Sequence, residues 1–287
     1  MFINRRKKNE FSQIIDRLEG VSIVLKDSHD INFVLRDFER PYIDNLINRE
    51  CDNEVFAAYS LLLKSGDIVF DIGAHVGRYS VFPSRIIGNK GKVYSFEPVE
   101  ENYWQLRTTL ALNRCENVIP IHKAISDSIS IVTINMFEPQ YSSWSSLGMP
   151  VMTTPEGKKV QPHRKEEVQS ETIDNFCMEQ NIKKIHFMKI DVEGYEFKAM
   201  IGAKNMLKDQ LIDYICFEVS EAPLTGSGLS NGQLLELLGE FGYKIFKICG
   251  PPYKFDGPLN DIKCFHGNYY ASPFNLTRLT EQKLSWK

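Results

Sequence analysis

Three charged side chains alternate along a short apolar segment, residues 187–196, with the sequence FMKIDVEGYE. In an extended strand alternate side chains point to the same face, so Lys189, Asp191 and Glu193 are predicted to share one face. Because burying them unpaired is costly, we expect them to converge on a polar crevice. There Asp191, or secondly Glu193, would act as a general base, while Lys189 would tune their ionisation or stabilise developing negative charge. The alternative is an ion pair that only stiffens the strand end.

A glycine turn follows another short apolar run, within residues 69–77, VFDIGAHVG. Gly73 and Gly77 provide room for a ligand to approach the backbone and for a helix to pack on the strand. The segment does not match the dinucleotide fingerprint G-x-G-x-x-G. Asp71 stands where the first glycine would be, and Val76 stands where the third would be, one residue before Gly77. A carboxylate there suits a cationic ligand better than a pyrophosphate. The alternative is that Asp71 only caps the next helix.

Two further acidic residues follow later strands. Glu97, in the sequence FEP at residues 96–98, lies about 20 residues after the glycine turn, where nucleoside-binding α/β folds place an acid that binds the ribose hydroxyls. Its alternative role is electrostatic support of a helix that begins near Pro98. Asp127 follows the third strand, where it could contact an adenine, although an acid in that place is also ordinary turn chemistry.

Other polar residues are weaker candidates. His75 lies in the glycine turn and Glu218 ends the fifth strand, so either could face the crevice. Together with Asp191 and Glu193, Glu218 could offer oxygen ligands to a hard cation such as Mg²⁺. Nothing in their spacing demands an ion, so we expect no metal. A Ser-rich segment at residues 141–146, YSSWSS, would suit stacking and hydrogen bonding to a sugar, or would be a mobile linker.

These motifs resemble the FkbM family of methyltransferases over roughly residues 67–250. The resemblance implies a class I methyltransferase fold, S-adenosylmethionine as methyl donor, and methylation of hydroxyl oxygens on sugars, glycans or natural products. The matching segments are D-x-G-A-x-x-G at residues 71–77, F-E-P at 96–98, KIDVEGYE at 189–196 and GA at 202–203. By the motif, Asp71, Gly73, Ala74 and Gly77 would line the methionine end of the cofactor, Glu97 the ribose, and Lys189, Asp191 and Glu193 the reaction centre.

Two other classes of function are compatible with the same residues. A nicotinamide-dependent oxidoreductase would keep the α/β sheet and the ribose acid, although the missing fingerprint glycine disfavours it. A non-catalytic nucleoside-binding module would bind the ligand without turnover.

The elements that must position these residues alternate between strand and helix, which predicts parallel strands with crossover helices. We predict a doubly wound α/β fold of the class I methyltransferase type, with a mostly parallel seven-stranded sheet and an antiparallel last strand. The predicted strands lie at residues 68–72, 92–96, 118–122, 185–191, 214–218, 243–248 and 263–271, and the predicted helices at 76–86, 100–113, 170–180, 195–207 and 232–241.

The domain organisation follows from these elements. We predict a mainly helical N-terminal extension at residues 1–65, with a β-like patch at 21–25 and 32–35, and a methyltransferase domain at residues 66–272. Residues 136–166 are rich in Ser, Pro, Gly and charge without a sustained period, which predicts a long loop or lid. A tail follows at residues 273–287.

Composition restricts the partners. The formal net charge of −3 provides no broad positive field, so large nucleic acids are not expected as partners. A small-molecule or glycan acceptor is what the resemblance to the FkbM family implies. The six cysteines form no C-x-x-C pair, which indicates reduced thiols. No apolar run approaches the ~20 residues of a membrane span and no signal-like segment follows Met1, so we expect a soluble, cytoplasmic protein.

Overall fold

The computed structural model describes residues 22–36, 53–138, 145–148, 152–153, 159–220, 231–260 and 266–277. Residues 1–21 and 37–52 of the predicted extension, most of the YSSWSS segment and the end of the predicted tail lie outside these residues. The strands are β1 (Ser22–Lys26), β2 (Asn32–Arg36), β3 (Ile68–Ile72), β4 (Lys92–Phe96), β5 (Val118–Ile121), β6 (Ala124–Ile125), β7 (Ile131–Met136), β8 (Met152–Thr153), β9 (Lys159–Val160), β10 (Arg164–Glu171), β11 (Ile185–Ile190), β12 (Ile212–Ser220), β13 (Lys244–Cys249), β14 (Lys254–Leu259) and β15 (His266–Ser272). The helices are α1 (Asn53–Leu62), α2 (Arg78–Ile87), α3 (Glu100–Leu112), α4 (Ile173–Glu179), α5 (Glu196–Ile201), α6 (Lys204–Lys208) and α7 (Asn231–Glu240).

The main sheet has eight strands in the order β14-β13-β15-β12-β11-β3-β4-β5. Strands β12, β11, β3, β4 and β5 run parallel, and β15 lies antiparallel between β12 and β13. The predicted antiparallel last strand is therefore confirmed. The eighth strand, β14, was not predicted from the sequence, because its Gly257 and Pro258 are typical of turns. Pro258 is compatible with β14 because this strand lies at the edge of the sheet.

Helices cover both faces of the sheet, as a doubly wound fold requires. One apolar core packs α1, α2 and α3 against the sheet, and the other packs α4, α5, α6 and α7. Strand residues such as Val69, Phe70 and Ile190 are fully buried, because parallel strands are covered on both sides. The carboxyl ends of the parallel strands consequently meet at one edge, where folds of this kind bind ligands.

In the described part of residues 1–65 the extension is not mainly helical, whereas the β-like patch predicted at residues 21–25 and 32–35 is confirmed by β1 and β2. Strands β1 and β2 form an antiparallel hairpin there, and α1 follows. Ile31, Phe33 and Leu35 are fully buried or nearly so with a period of two, which suits a strand rather than a helix. Backbone N–H groups of β2 donate to side chains at the end of α3 and just after it, which fixes the hairpin on that helix.

Three further predictions need correction in detail. The long loop predicted at residues 136–166 contains the short β8–β9 pair and the start of β10, which pairs with β7. The helix predicted from residue 170 begins at Ile173, where Thr172 accepts a hydrogen bond from the Asn175 N–H. The helix predicted at 195–207 is divided into α5 and α6 at Gly202, whose backbone passes so close to the Ser126 carbonyl that a Cβ would lie 2.1 Å from its oxygen. None of the helices in the described ranges is long and apolar enough to cross a membrane.

Candidate active site

The glycine turn after β3 brings two strand ends together. Gly73 has a φ of 80°, and the N–H groups of Gly73 and Ala74 donate to the Phe96 carbonyl at 3.0 and 2.9 Å. A Cβ on Gly73 would lie 1.9 Å from the Asp191 carbonyl oxygen. Only glycine permits this approach, so it holds the end of β3 directly against the end of β11. At Gly77 a Cβ would lie 2.6 Å from the Leu106 side chain of α3, so this glycine serves helix packing.

Asp71 is fully buried behind the turn. Its Oδ2 accepts a hydrogen bond of 2.5 Å from Ser80, whose hydroxyl in turn accepts one from Ser95. The start of α2 has no side-chain cap, so Asp71 does not cap that helix. Burial raises the pKa of Asp71, an effect that the ammonium of Lys189 opposes. Its Oδ1 has no hydrogen-bond partner in the described structure, which leaves one acceptor of the site unsatisfied.

Lys189 and Asp191 form the central ion pair. Lys189 Nζ lies 2.7 Å from Asp191 Oδ2 and 4.5 Å from the centre of the Tyr79 ring. Burial alone would lower the pKa of Lys189, but the carboxylates of Asp191 and Asp71 raise it above its ordinary value. Burial alone would raise the pKa of Asp191, but Lys189 lowers it. Lys189 is therefore charged, and Asp191 is an ionised carboxylate held in one place.

The turn after Asp191 is fixed from two sides. Glu193 has a φ of 53°, an unfavourable backbone conformation for a residue with a side chain. Glu196, 3% exposed, accepts hydrogen bonds from the N–H groups of Val192 and Gly194, and Ser146 Oγ donates to the Glu193 carbonyl at 2.8 Å. The sequence did not predict a role for Glu196. An acidic residue in the first turn of a helix, as Glu196 is in α5, is the pattern that could have indicated one.

Three carboxyl groups meet beside the ion pair. Strand β11 ends at Ile190, so the predicted alternation does not extend to Glu193, yet oxygens of Asp191, Glu193 and Glu218 lie within 4.8 Å of one another. Burial and the charge of Asp191 raise the pKa values of both Glu193 and Glu218 well above the ordinary value. The ammonium of Lys189 thus favours the ionised form of Asp191, whereas the surroundings of Glu193 and Glu218 favour their protonated forms.

Glu97 directly follows β4 and is 4% exposed. Its Oε2 accepts the His75 N–H at 2.8 Å, and its Oε1 accepts the Val99 N–H at 3.0 Å and an N–H of the Asn102 side chain at 3.4 Å. Burial raises the pKa of Glu97 to about 7 in spite of these donors. The carboxyl group is thus rigidly held and close to half ionised at neutral pH.

A cleft of about 570 Å³, partly open to solvent, joins these groups. Of the residues predicted from sequence, Gly73, Glu97, Asp191 and Glu193 line it, and His75 and Ser145 line it as well. Asp71, Ala74, Gly77 and Lys189 are not among the lining residues, although Lys189 contacts the lining residue Asp191. The remaining predicted residue, Asp127, is not brought to the cleft, because its carboxylate is paired with Lys198, which lowers its pKa.

The cleft suits a cationic nucleoside without phosphate. Glu97, Asp191 and Glu193 supply carboxyl groups, whereas Lys123 at the rim is already paired with Glu171 at 2.9 Å. Asp191 is ionised and the pKa of Glu97 is about 7, so these acids give the lining negative charge, which disfavours a pyrophosphate and suits a sulfonium or ammonium group. A doubly wound sheet of this strand order, with such a cleft at its carboxyl edge, defines a class I, S-adenosylmethionine-dependent methyltransferase.

The chain belongs to the FkbM family of methyltransferases, because the family model described as "Methyltransferase FkbM domain" matches residues 71–245, more than half of the chain. It is thus an S-adenosylmethionine-dependent methyltransferase, which sets aside the nicotinamide-dependent oxidoreductase. No curated protein sequence matches the chain significantly.

Solved structures of methyltransferases are similar to the chain at low identity. FkbM methyltransferase from Methylobacillus flagellatus KT is 16% identical, with 93% of this chain and 59% of that chain covered and a TM-score of 0.44. A SAM-dependent methyltransferase from Aquifex aeolicus is 15% identical, with 76% and 88% covered and a TM-score of 0.39. Fibrillarin from Aeropyrum pernix, in complex with natively bound S-adenosyl-L-methionine, is 16% identical, with 72% and 67% covered and a TM-score of 0.38.

Proposed function

We propose that this enzyme methylates a hydroxyl oxygen of a sugar, glycan or natural product, with Asp191 as the general base. The observation that supports this proposal is the ionised Asp191, held by the buried Lys189 at the lining of the cleft. A hydroxyl group must lose its proton when its oxygen is methylated, and an oriented carboxylate within hydrogen-bond reach can accept that proton.

Different residues of the cleft would bind different parts of the cofactor. Glu97 follows β4, the second strand of the parallel part of the main sheet. It would accept hydrogen bonds from the ribose hydroxyls, as an acid at this place does in related folds. The turn at Gly73 and Ala74 would border the methionine end, with Asp71 and Gly77 holding that turn in place from behind. When bound, S-adenosylmethionine supplies an electrophilic methyl group attached to a positively charged sulfur.

The residues of the reaction centre then have separate tasks. Asp191 would accept the hydroxyl proton as the oxygen bonds to the methyl carbon and the bond from that carbon to sulfur breaks, which would leave S-adenosylhomocysteine. A general base of this kind contributes typically ~10²–10⁴-fold to the rate. Lys189 keeps Asp191 ionised and fixes its orientation through their 2.7 Å contact. Glu193 lies at the lining of the cleft, where its carboxyl group can form a hydrogen bond that orients the acceptor oxygen.

The experiment compares Asp191→Asn with the wild type on two readouts. Calorimetric titration with S-adenosylhomocysteine measures donor-site binding, and mass spectrometry measures methylation of a panel of hydroxylated sugars, glycans and metabolites. We expect Asp191→Asn to bind S-adenosylhomocysteine nearly as well and to lose roughly 10²–10⁴-fold in turnover. Asp209→Asn makes the same chemical change at an exposed position and should leave both readouts unchanged.

Different results would contradict different parts of the proposal. Retained turnover in Asp191→Asn would remove Asp191 from the base role. A product whose methyl group is bonded to nitrogen or carbon, as identified by NMR, would refute oxygen methylation. A wild-type protein that binds S-adenosylhomocysteine but methylates nothing across the panel would support a non-catalytic nucleoside-binding module.

A further inference from the structure

Lys189, the partner of the proposed base, has a long and flexible side chain. Its Nζ contacts Asp191 Oδ2 at 2.7 Å, and the side chain of Lys189 is 2% exposed whereas that of Asp191 is 30% exposed. A buried ammonium needs favourable surroundings in addition to one carboxylate, because water no longer reaches it. The groups around Lys189 therefore decide how firmly the ion pair is held.

The ring of Tyr79 covers the ammonium from the side of α2. Tyr79 is the second residue of this helix, and its ring centre lies 4.5 Å from Lys189 Nζ. At this distance the negative face of an aromatic ring attracts a cation. The ring carries no net charge, so it holds the ammonium without competing with Asp191 for the ion pair. Contact with the ring therefore favours the position in which Lys189 also contacts Asp191.

The Tyr79 ring is itself held by residues from two other elements. It stacks on Phe56 of α1 with 5.3 Å between the ring centres, and its hydroxyl accepts a hydrogen bond of 3.3 Å from Arg78 Nη1. The Arg78 guanidinium lies 4.6 Å from the centre of the Phe56 ring, and its Nε donates to Asp27 Oδ2 at 2.8 Å in the turn between β1 and β2. The ring therefore has little freedom to move away from Lys189.

These supports lie outside the part of the chain that matches the family model. Asp27 and Phe56 precede residue 71, where that match begins. Tyr79 is not among the residues that line the cleft. An effect of its ring on methyl transfer would therefore act through Lys189.

We propose that Tyr79 is a positioning residue, whose ring holds the ammonium of Lys189 against Asp191 and so keeps the proposed base oriented. The inference rests on the base role proposed for Asp191. It adds α1 and the β1–β2 hairpin to the elements that shape the reaction centre, because both contribute to holding the Tyr79 ring.

The first test compares Tyr79→Leu and Tyr79→Phe in the full chain. Steady-state kinetics with S-adenosylmethionine and the panel compound that the wild type methylates fastest give kcat and the KM of both substrates. Tyr79→Leu should lower kcat by about 2- to 30-fold, the factor that corresponds to the loss of one cation–π contact, and leave both KM values unchanged. Tyr79→Phe keeps the ring and should retain the kcat of the wild type.

The second test detects the contact itself and needs no acceptor. Protons that lie over the face of an aromatic ring resonate at unusually high field in NMR spectra. In protein that is isotope-labelled on lysine, the signals that disappear in Lys189→Met belong to Lys189. These signals should lie at high field in the wild type and in Tyr79→Phe, and should return to ordinary positions in Tyr79→Leu.

Tyr103→Leu is the matched control. Tyr103 also stacks on a ring, that of His122 at 4.7 Å, and also has a cation, Arg107, at 5.9 Å from its ring centre. This substitution should leave kcat, both KM values and the Lys189 signals unchanged. Thermal melts check that each variant is folded.

Several outcomes would overturn the proposal. These are an unchanged kcat in Tyr79→Leu, an equal loss of kcat in Tyr79→Phe, or a raised KM with kcat unchanged, which would assign Tyr79 to substrate binding. Lys189 signals at ordinary positions in the wild type would overturn it even if Tyr79→Leu does not fold. Retained turnover in Asp191→Asn would instead refute the base role on which the inference rests.

Discussion

Replacing Glu97 by Gln removes one titrating group from the centre of the cleft while keeping the shape of the side chain. In the folded protein, burial raises the pKa of Glu97 from 4.5 to about 7. Between these two values the folded protein holds a proton that the unfolded chain has already released. The stability of the wild type relative to Glu97→Gln must therefore fall as the pH rises through this window.

The size of the effect follows from the two pKa values. A complete shift from 4.5 to about 7 corresponds to about 3 kcal/mol at the high-pH limit, since one pKa unit is about 1.4 kcal/mol. Between pH 5 and pH 8, where most of the titration occurs, the expected change in the stability difference is about 2 to 3 kcal/mol. Every other titrating group is common to both proteins, so its contribution cancels in the difference unless it is coupled to Glu97.

Urea denaturation at pH 5, 6, 7 and 8, in the absence of ligand, measures the free energy of unfolding of each protein. The difference between wild type and Glu97→Gln should decline steadily across this series. Glu116→Gln, the same change at an exposed position, should give a nearly constant difference from the wild type. Parallel curves for wild type and Glu97→Gln would refute the conclusion that burial holds a proton on Glu97 at mildly acidic pH.

Two further substitutions test how the reaction centre is held together. Lys189→Met should reduce the free energy of unfolding at pH 7 by about 3 kcal/mol, because Asp191 loses its ion-pair partner and Asp71 loses the ammonium that opposes the effect of its burial. Lys189 lowers the pKa of Asp191, so the loss of stability in Lys189→Met should become smaller as the pH falls, as measured by urea denaturation. A loss of stability that does not depend on pH would contradict the electrostatic role of Lys189. Gly73→Ala should reduce stability by more than about 2 kcal/mol, since a Cβ collides with the Asp191 backbone at a φ of 80°. The matched change Gly239→Ala, in α7 with no atom within 4 Å, should raise stability by about 0.5–1 kcal/mol, and equal effects of the two alanines would refute the steric argument.

Local pattern was sufficient to predict most of the central sheet. Short apolar runs ended by glycine or acidic residues predicted β3 and β4 with the observed bounds, because strands buried on both faces must be continuously apolar. The same runs placed Glu97 and Asp191 at strand ends, and the parallel topology then required these ends to meet at one edge. Elements of mixed composition were predicted less well. The Gly- and Pro-containing β14 and the charged β10 are strands only because neighbouring strands supply hydrogen-bond partners.

The sequence by itself determined the family, its cofactor and the acidic residues placed at the strand ends, because these depend on residue type and short spacing. Only the tertiary structure decided how those residues divide their tasks. It buried Asp71 behind the turn, paired Asp127 with Lys198, and brought Ser145 and Glu218 to the site from distant parts of the chain. The physical reason is that burial and long-range pairing set both the protonation of a carboxyl group and its access to a ligand, and neither is encoded in adjacent residues.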